Sequence, residues 1–166
     1  MNILEVKNVS VSFEGVKALQ DLSLNIEKGE FLALIGPNGS GKTTLVNVIS
    51  GFIKPNRGKI IFEGKDITNW PPHKRAIMGL VRTFQITRPF RELTVLDNVL
   101  ISLGKKNYYG FNIFSSPKRE LNEALEILKL LKLEKYSDML ASSLPIGLQR
   151  VLEVAKALAL KPRILL

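Results

Sequence analysis

Residues 31–51, FLALIGPNGSGKTTLVNVISG, decide how this chain is read. The apolar run Phe31 to Ile35 is too short for a surface helix and predicts a fully buried strand. A glycine-rich turn follows. The helical run after it begins near Lys42 and ends at Gly51, a residue type that closes helices. Within this stretch GPNGSGKT, Gly36 to Thr43, fits the spacing G-x-x-x-x-G-K-[ST] in full. Gly36, Gly39 and Gly41 permit backbone angles that turn successive N–H groups inward. Pro37, Asn38 and Ser40 complete the loop, and Thr44 stands in the first helical turn. Inward N–H groups and the positive end of a helix suit phosphate oxygens. Lys42 adds a full charge toward the β- and γ-phosphates, and the Thr43 hydroxyl is placed for Mg²⁺. A glycine turn with a stray lysine would lack the strand before and the helix after. The expectation is a nucleoside-triphosphate site.

Upstream, Ile3, Val6, Val9 and Val11 alternate with polar residues, and Leu22, Leu24 and Ile26 fall on every second position. This period predicts half-buried antiparallel strands, closed by a turn at EKGE. Downstream, KIIFEGKDI predicts a strand with a turn at Gly64-Lys65. PPHKRAIM opens a helix with prolines and Gly79 can stop it. LVRTF is a short strand. Thr94 and Asp97, three apart before an apolar run, predict a capped helix start. Residues 103–116 lack periodicity and predict a loop, whose aromatics suit loop-anchoring packing. Leu121, Ala124, Leu125, Leu128 and Leu131 recur at helical spacing, LPIGLQRVLEVAKALAL repeats the pattern, and RILL begins a strand. A β-rich beginning, a strand–loop–helix unit and a helical second half define an α/β domain with a helical insertion.

Composition bounds the reading further. The chain of 166 residues suits one ordinary domain rather than two. Its charge of +9 fits a phosphorylated ligand, nucleic acid, an anionic membrane surface or simply a basic exterior. There is no cysteine and one histidine, His73, so disulfides, cysteine metal sites and multi-histidine clusters are excluded. The first residues show no signal-peptide pattern, and no apolar run approaches membrane-spanning length.

The stretch LIGPNGSGKTTLVNVISGFIKPNRGKIIFEGKDI (34–67) resembles the ATP-binding-cassette (ABC) family along its whole length. MGLVRTFQITRPFRELTVLDNVL (78–100) is more specific, and is similar to the ATPase subunit of branched-chain amino-acid importers. The resemblance implies a P-loop fold with an N-terminal antiparallel β subdomain and a helical insertion. It implies one domain over 1–166, incomplete at its C-terminal end. Its parts are a β subdomain and phosphate-loop strand (1–35), phosphate loop to glutamine loop (36–85), helical subdomain with signature motif (86–150), and signature helix with the next strand's start (151–166). The resemblance also implies ATP and Mg²⁺ as cofactors. Phe13 stands where the family stacks an aromatic on adenine, the alternative being a strand aromatic in the core. Gln85 would ligate Mg²⁺ or hold the attacking water, as Thr43 would ligate the metal and Lys42 the phosphates. His73 does not match the family's switch histidine and is read as an exposed helix residue.

The family signature, usually Leu-Ser-Gly-Gly-Gln, aligns with LPIGLQR (144–150). Pro145 replaces the serine, Ile146 the first glycine and Leu148 the glutamine, while Leu144 and Gly147 match. Losing the serine hydroxyl's bond to a charged phosphate costs about 1.5–3 kcal/mol. In the family this motif meets the partner's phosphate loop across ATP, so Gly147 is a candidate nucleotide contact. The strand opening at KPRILL would continue, in the family, beside the phosphate-loop strand and into an Asp-Glu pair. The resemblance therefore predicts a fragment with little turnover of its own, because a catalytic base contributes a factor of about 10²–10⁴. The implied partners are a second ATPase subunit, membrane-spanning permease subunits and, indirectly, an amino-acid binding protein, at the cytoplasmic face of the membrane. Two alternatives stand beside this: a nucleotide-binding module without turnover, and a soluble ABC protein acting on nucleic acid or ribosomes. The basic residues are scattered, without the runs that nucleic-acid arms carry, so no nucleic acid is expected.

Overall fold

The computed structural model describes residues 2–83, 89–104 and 117–166, and the chain divides into two compact units, 1–78 and 79–166. The first unit starts with two long strands, β1 (Asn2–Phe13) and β2 (Val16–Glu27). They are joined by a two-residue turn at Glu14-Gly15, both with positive φ of 45° and 86°. Such turns match the right-handed twist of the flanking strands, and the glycine accepts that conformation without steric cost. After helix α1 (Lys42–Ser50) come β3 (Arg57–Phe62), β4 (Lys65–Asp66) and helix α2 (Pro72–Ile77). The four strands form one antiparallel sheet in the order β2-β1-β3-β4. Leu4, Val6, Val9, Ile60 and Phe62 are buried on it. The expected alternation in β1 holds with register shifts after Val6 and Val9, which let both bury although three residues apart.

The second unit holds a short parallel pair, β5 (Leu80–Val81) with β6 (Ile164–Leu165), and three helices, α3 (Val95–Gly104), α4 (Pro117–Leu130) and α5 (Ile146–Ala159). Val95, Val99, Ala124, Leu128, Leu152 and Ala155 make its helical core. The capped start of α3 is as the sequence predicts: Asp97 N–H donates to Thr94 Oγ1 at 3.0 Å, and the Thr94 hydroxyl donates to Asp97 Oδ2 at 2.6 Å. The predicted loop 103–116 begins later, since α3 runs to Gly104; residues 105–116 lie outside the described residues.

One expectation is overturned. No ladder among the described residues includes 31–35, and Phe31 and Ile35 are 94% and 91% exposed. An apolar run becomes a buried strand only when neighbouring strands take up its hydrogen bonds on both sides. No described strand does so here. The strand opening at RILL is β6. It pairs with β5, Leu80 with Ile164 and Val81 with Leu165.

Candidate nucleotide site

Two of the three spacing glycines of the loop take angles that favour glycine, and Gly36 does not. Gly39 and Gly41 take left-handed angles, φ 82° and 86°, and Gly41 stands immediately before α1. At Gly41 space as well as angle demands glycine: a Cβ there would stand 2.7 Å from the Ala18 carbonyl oxygen and 2.8 Å from Leu19 Cδ2. The loop is thereby seated against β2. Lys42 folds back over it, its Nζ donating to the carbonyls of Gly36 and Pro37, each at 2.7 Å, and lying 3.3 Å from Ser40 Oγ. The Ser40 N–H donates to Pro37 O at 3.3 Å. Leu45 N–H is the first in α1 to donate within the turn, to Gly41 O at 2.8 Å. The N–H groups of Lys42, Thr43 and Thr44 therefore face the helix end without intrahelical acceptors. Asn38 and Thr43 are exposed. The result is a surface loop in which an ammonium and a helix N-terminus converge.

Phe13 ends β1 opposite Val16 and is 46% exposed. It is no core residue. Val16 precedes Ala18 by two residues on the same strand, about 7 Å at strand rise. The hairpin tip bearing Phe13 is thus two residues along β2 from the position on which Gly41 seats the loop.

The far end of α1 shows a feature that the sequence analysis missed. Arg75, on α2, is 1% exposed. Its Nη1 donates to the carbonyls of Val48 and Ile49 at 2.8 and 2.7 Å, its Nη2 to Thr68 O and its Nε to Trp70 O, both at 2.9 Å. Burial lowers its pKa to about 10, so it stays charged at neutral pH. Thr68 is itself fixed: its N–H and hydroxyl both donate to Asp66 Oδ1. Those bonds hold the Asp66 carboxyl below its usual range. A buried arginine within a basic six-residue helix leaves no periodic trace in the sequence, which is why pattern reading passes over it.

In the second unit, Gln85 lies outside the described residues. The chain entering it is held at Thr83, whose N–H donates to Leu166 O at 2.9 Å. The chain leaving it is held at Phe90 by the fully buried Asn98. Phe90 N–H donates to Asn98 Oδ1 at 2.8 Å, and Asn98 Nδ2 donates to Phe90 O at 3.0 Å and Thr94 O at 2.9 Å. Pro145 occupies the N-cap of α5, and its carbonyl accepts from Leu148 and Gln149 N–H at 2.9 and 3.0 Å. Gln149 Nε2 donates to Leu144 O at 2.9 Å. Ile146 is 67% exposed, Gly147 is exposed, and a Cβ on Gly147 would meet nothing within 4 Å. Leu148 packs on the helical core. His73 is exposed on α2, as expected.

A family model described as ABC transporter matches residues 19–166, and the chain belongs to that family as its ATP-binding domain. Its fold is the P-loop ATPase fold of that family, with the antiparallel sheet at the N-terminus and the helical insertion after it. Among relatives, it is 44% identical over 174 residues to a probable branched-chain amino acid transport ATP-binding protein, LivG, of Archaeoglobus fulgidus, covering 100% of this chain and 66% of that protein. It is 38% identical to a spermidine/putrescine import ATP-binding protein, PotA, of Clostridium novyi, over 99% of this chain and 45% of that one. Among solved structures, the ADP conformation of MJ1267, an ATP-binding cassette of an ABC transporter, superposes with a TM-score of 0.84 at 37% identity, covering 99% of this chain and 67% of MJ1267. The chain thus spans about two thirds of the length of LivG and MJ1267 and less than half of PotA.

Proposed function

We propose that this chain carries the ATP-binding part of a subunit that powers an importer, with branched-chain amino acids as the transported class. One observation supports this above all: the loop 36–43, seated on β2 with Lys42 bent over it, at the start of α1. In this reading Gly36 to Thr44 wrap the phosphates, Lys42 neutralises the β- and γ-oxygens, and Phe13 stacks on the base. Thr43 fits Mg²⁺, because its exposed hydroxyl is a hard oxygen donor beside the phosphate loop. When bound, that ion would supply positive charge that offsets the charge of the phosphates. Gln85 is proposed as its further ligand or as the holder of the attacking water. Among the described residues no cluster of three or more His, Cys, Asp or Glu competes as a metal centre.

Gly147 is proposed to meet the γ-phosphate held by a second ATPase subunit. Glycine inside a helix costs about 0.5–1 kcal/mol relative to alanine, and among the described residues nothing stands within 4 Å of where its Cβ would be. Close approach by another molecule accounts for that cost. The amide and helix N-terminus remain for the phosphate although Pro145 brings neither hydroxyl nor N–H. The membrane-spanning partners, and the cytoplasmic face on which they would be met, belong to the same proposal. The likeness to LivG supports the amino-acid class, while the likeness to PotA makes polyamines the competing cargo.

The test is calorimetric titration of the full-length protein with Mg-ATP, followed by reconstitution with its permease subunits in liposomes. Saturable binding and leucine-stimulated hydrolysis are the expected results. Stimulation by spermidine instead would reassign the cargo, and absence of nucleotide binding would overturn the reading.

A further inference from the structure

Helix α1 is nine residues long, about 13 Å at helical rise. It is gripped at both ends. At the N-terminus the close fit of Gly41 on Ala18 and Leu19 sets where the phosphate loop begins. At the C-terminus the last carbonyls of a helix have no intrahelical donors. Here the Arg75 guanidinium supplies them, with both Val48 and Ile49 on Nη1. The remaining nitrogens are fixed to Thr68 and Trp70, so the fork cannot turn without breaking bonds elsewhere. Gly51 keeps the space for it: its φ is 84°, and a Cβ there would stand 2.8 Å from Arg75 Nε and 2.9 Å from Trp70 O. The chain also turns back over this end, Phe52 N–H donating to Asn47 O at 2.9 Å.

A short rod anchored at both ends transmits the placement of one end to the other. We infer that Arg75 is a positioning residue for the phosphate site, acting through α1 to hold Lys42, Thr43 and the loop amides where a triphosphate meets them. This rests on the nucleotide reading of the loop. It goes beyond it by assigning a role to a residue on a different helix, at the opposite end of α1. A cation at the negative end of the helix also complements its dipole. The geometric and electrostatic contributions separate by substitution: Arg75→Lys keeps the charge and loses the fork, whereas Arg75→Met loses both.

A merely structural arginine would lower stability and leave affinity alone, so the experiment reads both. Full-length wild type, Arg75→Met, Arg75→Lys and the sheet-core control Val6→Ala are compared by thermal unfolding without nucleotide. Mg-ATP affinity is then measured by calorimetry well below each melting temperature. Arg75→Met should bind about tenfold more weakly and Arg75→Lys about threefold, within the range that residues remote from a ligand impose on a site. Val6→Ala should melt earlier yet bind as wild type does. If both Arg75 variants melt early and bind ATP as tightly as Val6→Ala, the inference is overturned. Should Arg75→Met not fold, the same comparison with Arg75→Lys decides it. Wild type that fails to bind ATP overturns the nucleotide reading itself, and Arg75 falls with it.

Discussion

At the scale of single residues the site rests on a few side chains with separable consequences. Lys42→Ala removes a charge-assisted contact worth about 1.5–3 kcal/mol, so Mg-ATP affinity should fall about 10–100-fold by calorimetry. The melting temperature should change little, because the ammonium's bonds are to exposed loop carbonyls. Gly147→Ala should do the reverse of most substitutions in a site. It should raise the stability of the chain by about 0.5–1 kcal/mol in denaturant melts, since its helix gains propensity and nothing is displaced. Association of two subunits on ATP, followed by light scattering, should weaken. Asn98→Leu should cost about 2–4 kcal/mol, read as a lower denaturant midpoint at unchanged slope. It strands the N–H of Phe90 and removes the amide's bonds to the Phe90 and Thr94 carbonyls, of which Phe90's keeps only Leu93 N–H.

At the scale of elements, local chemistry and neighbours divide the credit. The Thr94–Asp97 pair was legible because a capping box is written within four residues. Thr94→Ala should cost about 1 kcal/mol and shorten α3, measured by denaturant midpoint and amide exchange in its first turn. The phosphate loop was legible for the same reason: glycine spacing fixes backbone angles locally, and Gly39 and Gly41 adopt them. The reading failed at Phe31 to Ile35, where composition announces a strand but only pairing makes one. No described strand pairs with that segment. The pairing of RILL with β5 was not legible because register between distant strands is not encoded in either one; β6 finds β5 across more than eighty residues. Arg75 went unseen because its value lies in four carbonyls drawn from α1 and from the turn before α2, none of them marked by residue type.

At the scale of the whole molecule, the two units divide the chemistry. The phosphate loop, the Phe13 hairpin and the Arg75 grip lie within 1–78, and the segment around Gln85 and the α5 N-terminus within 79–166. No helix among the described residues is long and apolar enough to cross a membrane. Trp70, whose carbonyl receives Arg75, is the one tryptophan of the chain. Its indole emission therefore reports on the first unit alone, whereas far-ultraviolet dichroism is weighted toward the three longer helices of the second. Ligand that binds only the folded state stabilises by mass action, about 2.7 kcal/mol at a hundredfold excess over Kd. Mg-ATP should accordingly shift the emission-detected transition upward by that amount, and at the same concentration by only about 0.4–1.4 kcal/mol for Lys42→Ala. The single fluorophore belongs to the residue whose carbonyl receives the guanidinium at the far end of α1, so the first unit can be watched folding and unfolding without a dye, by the protein's own light.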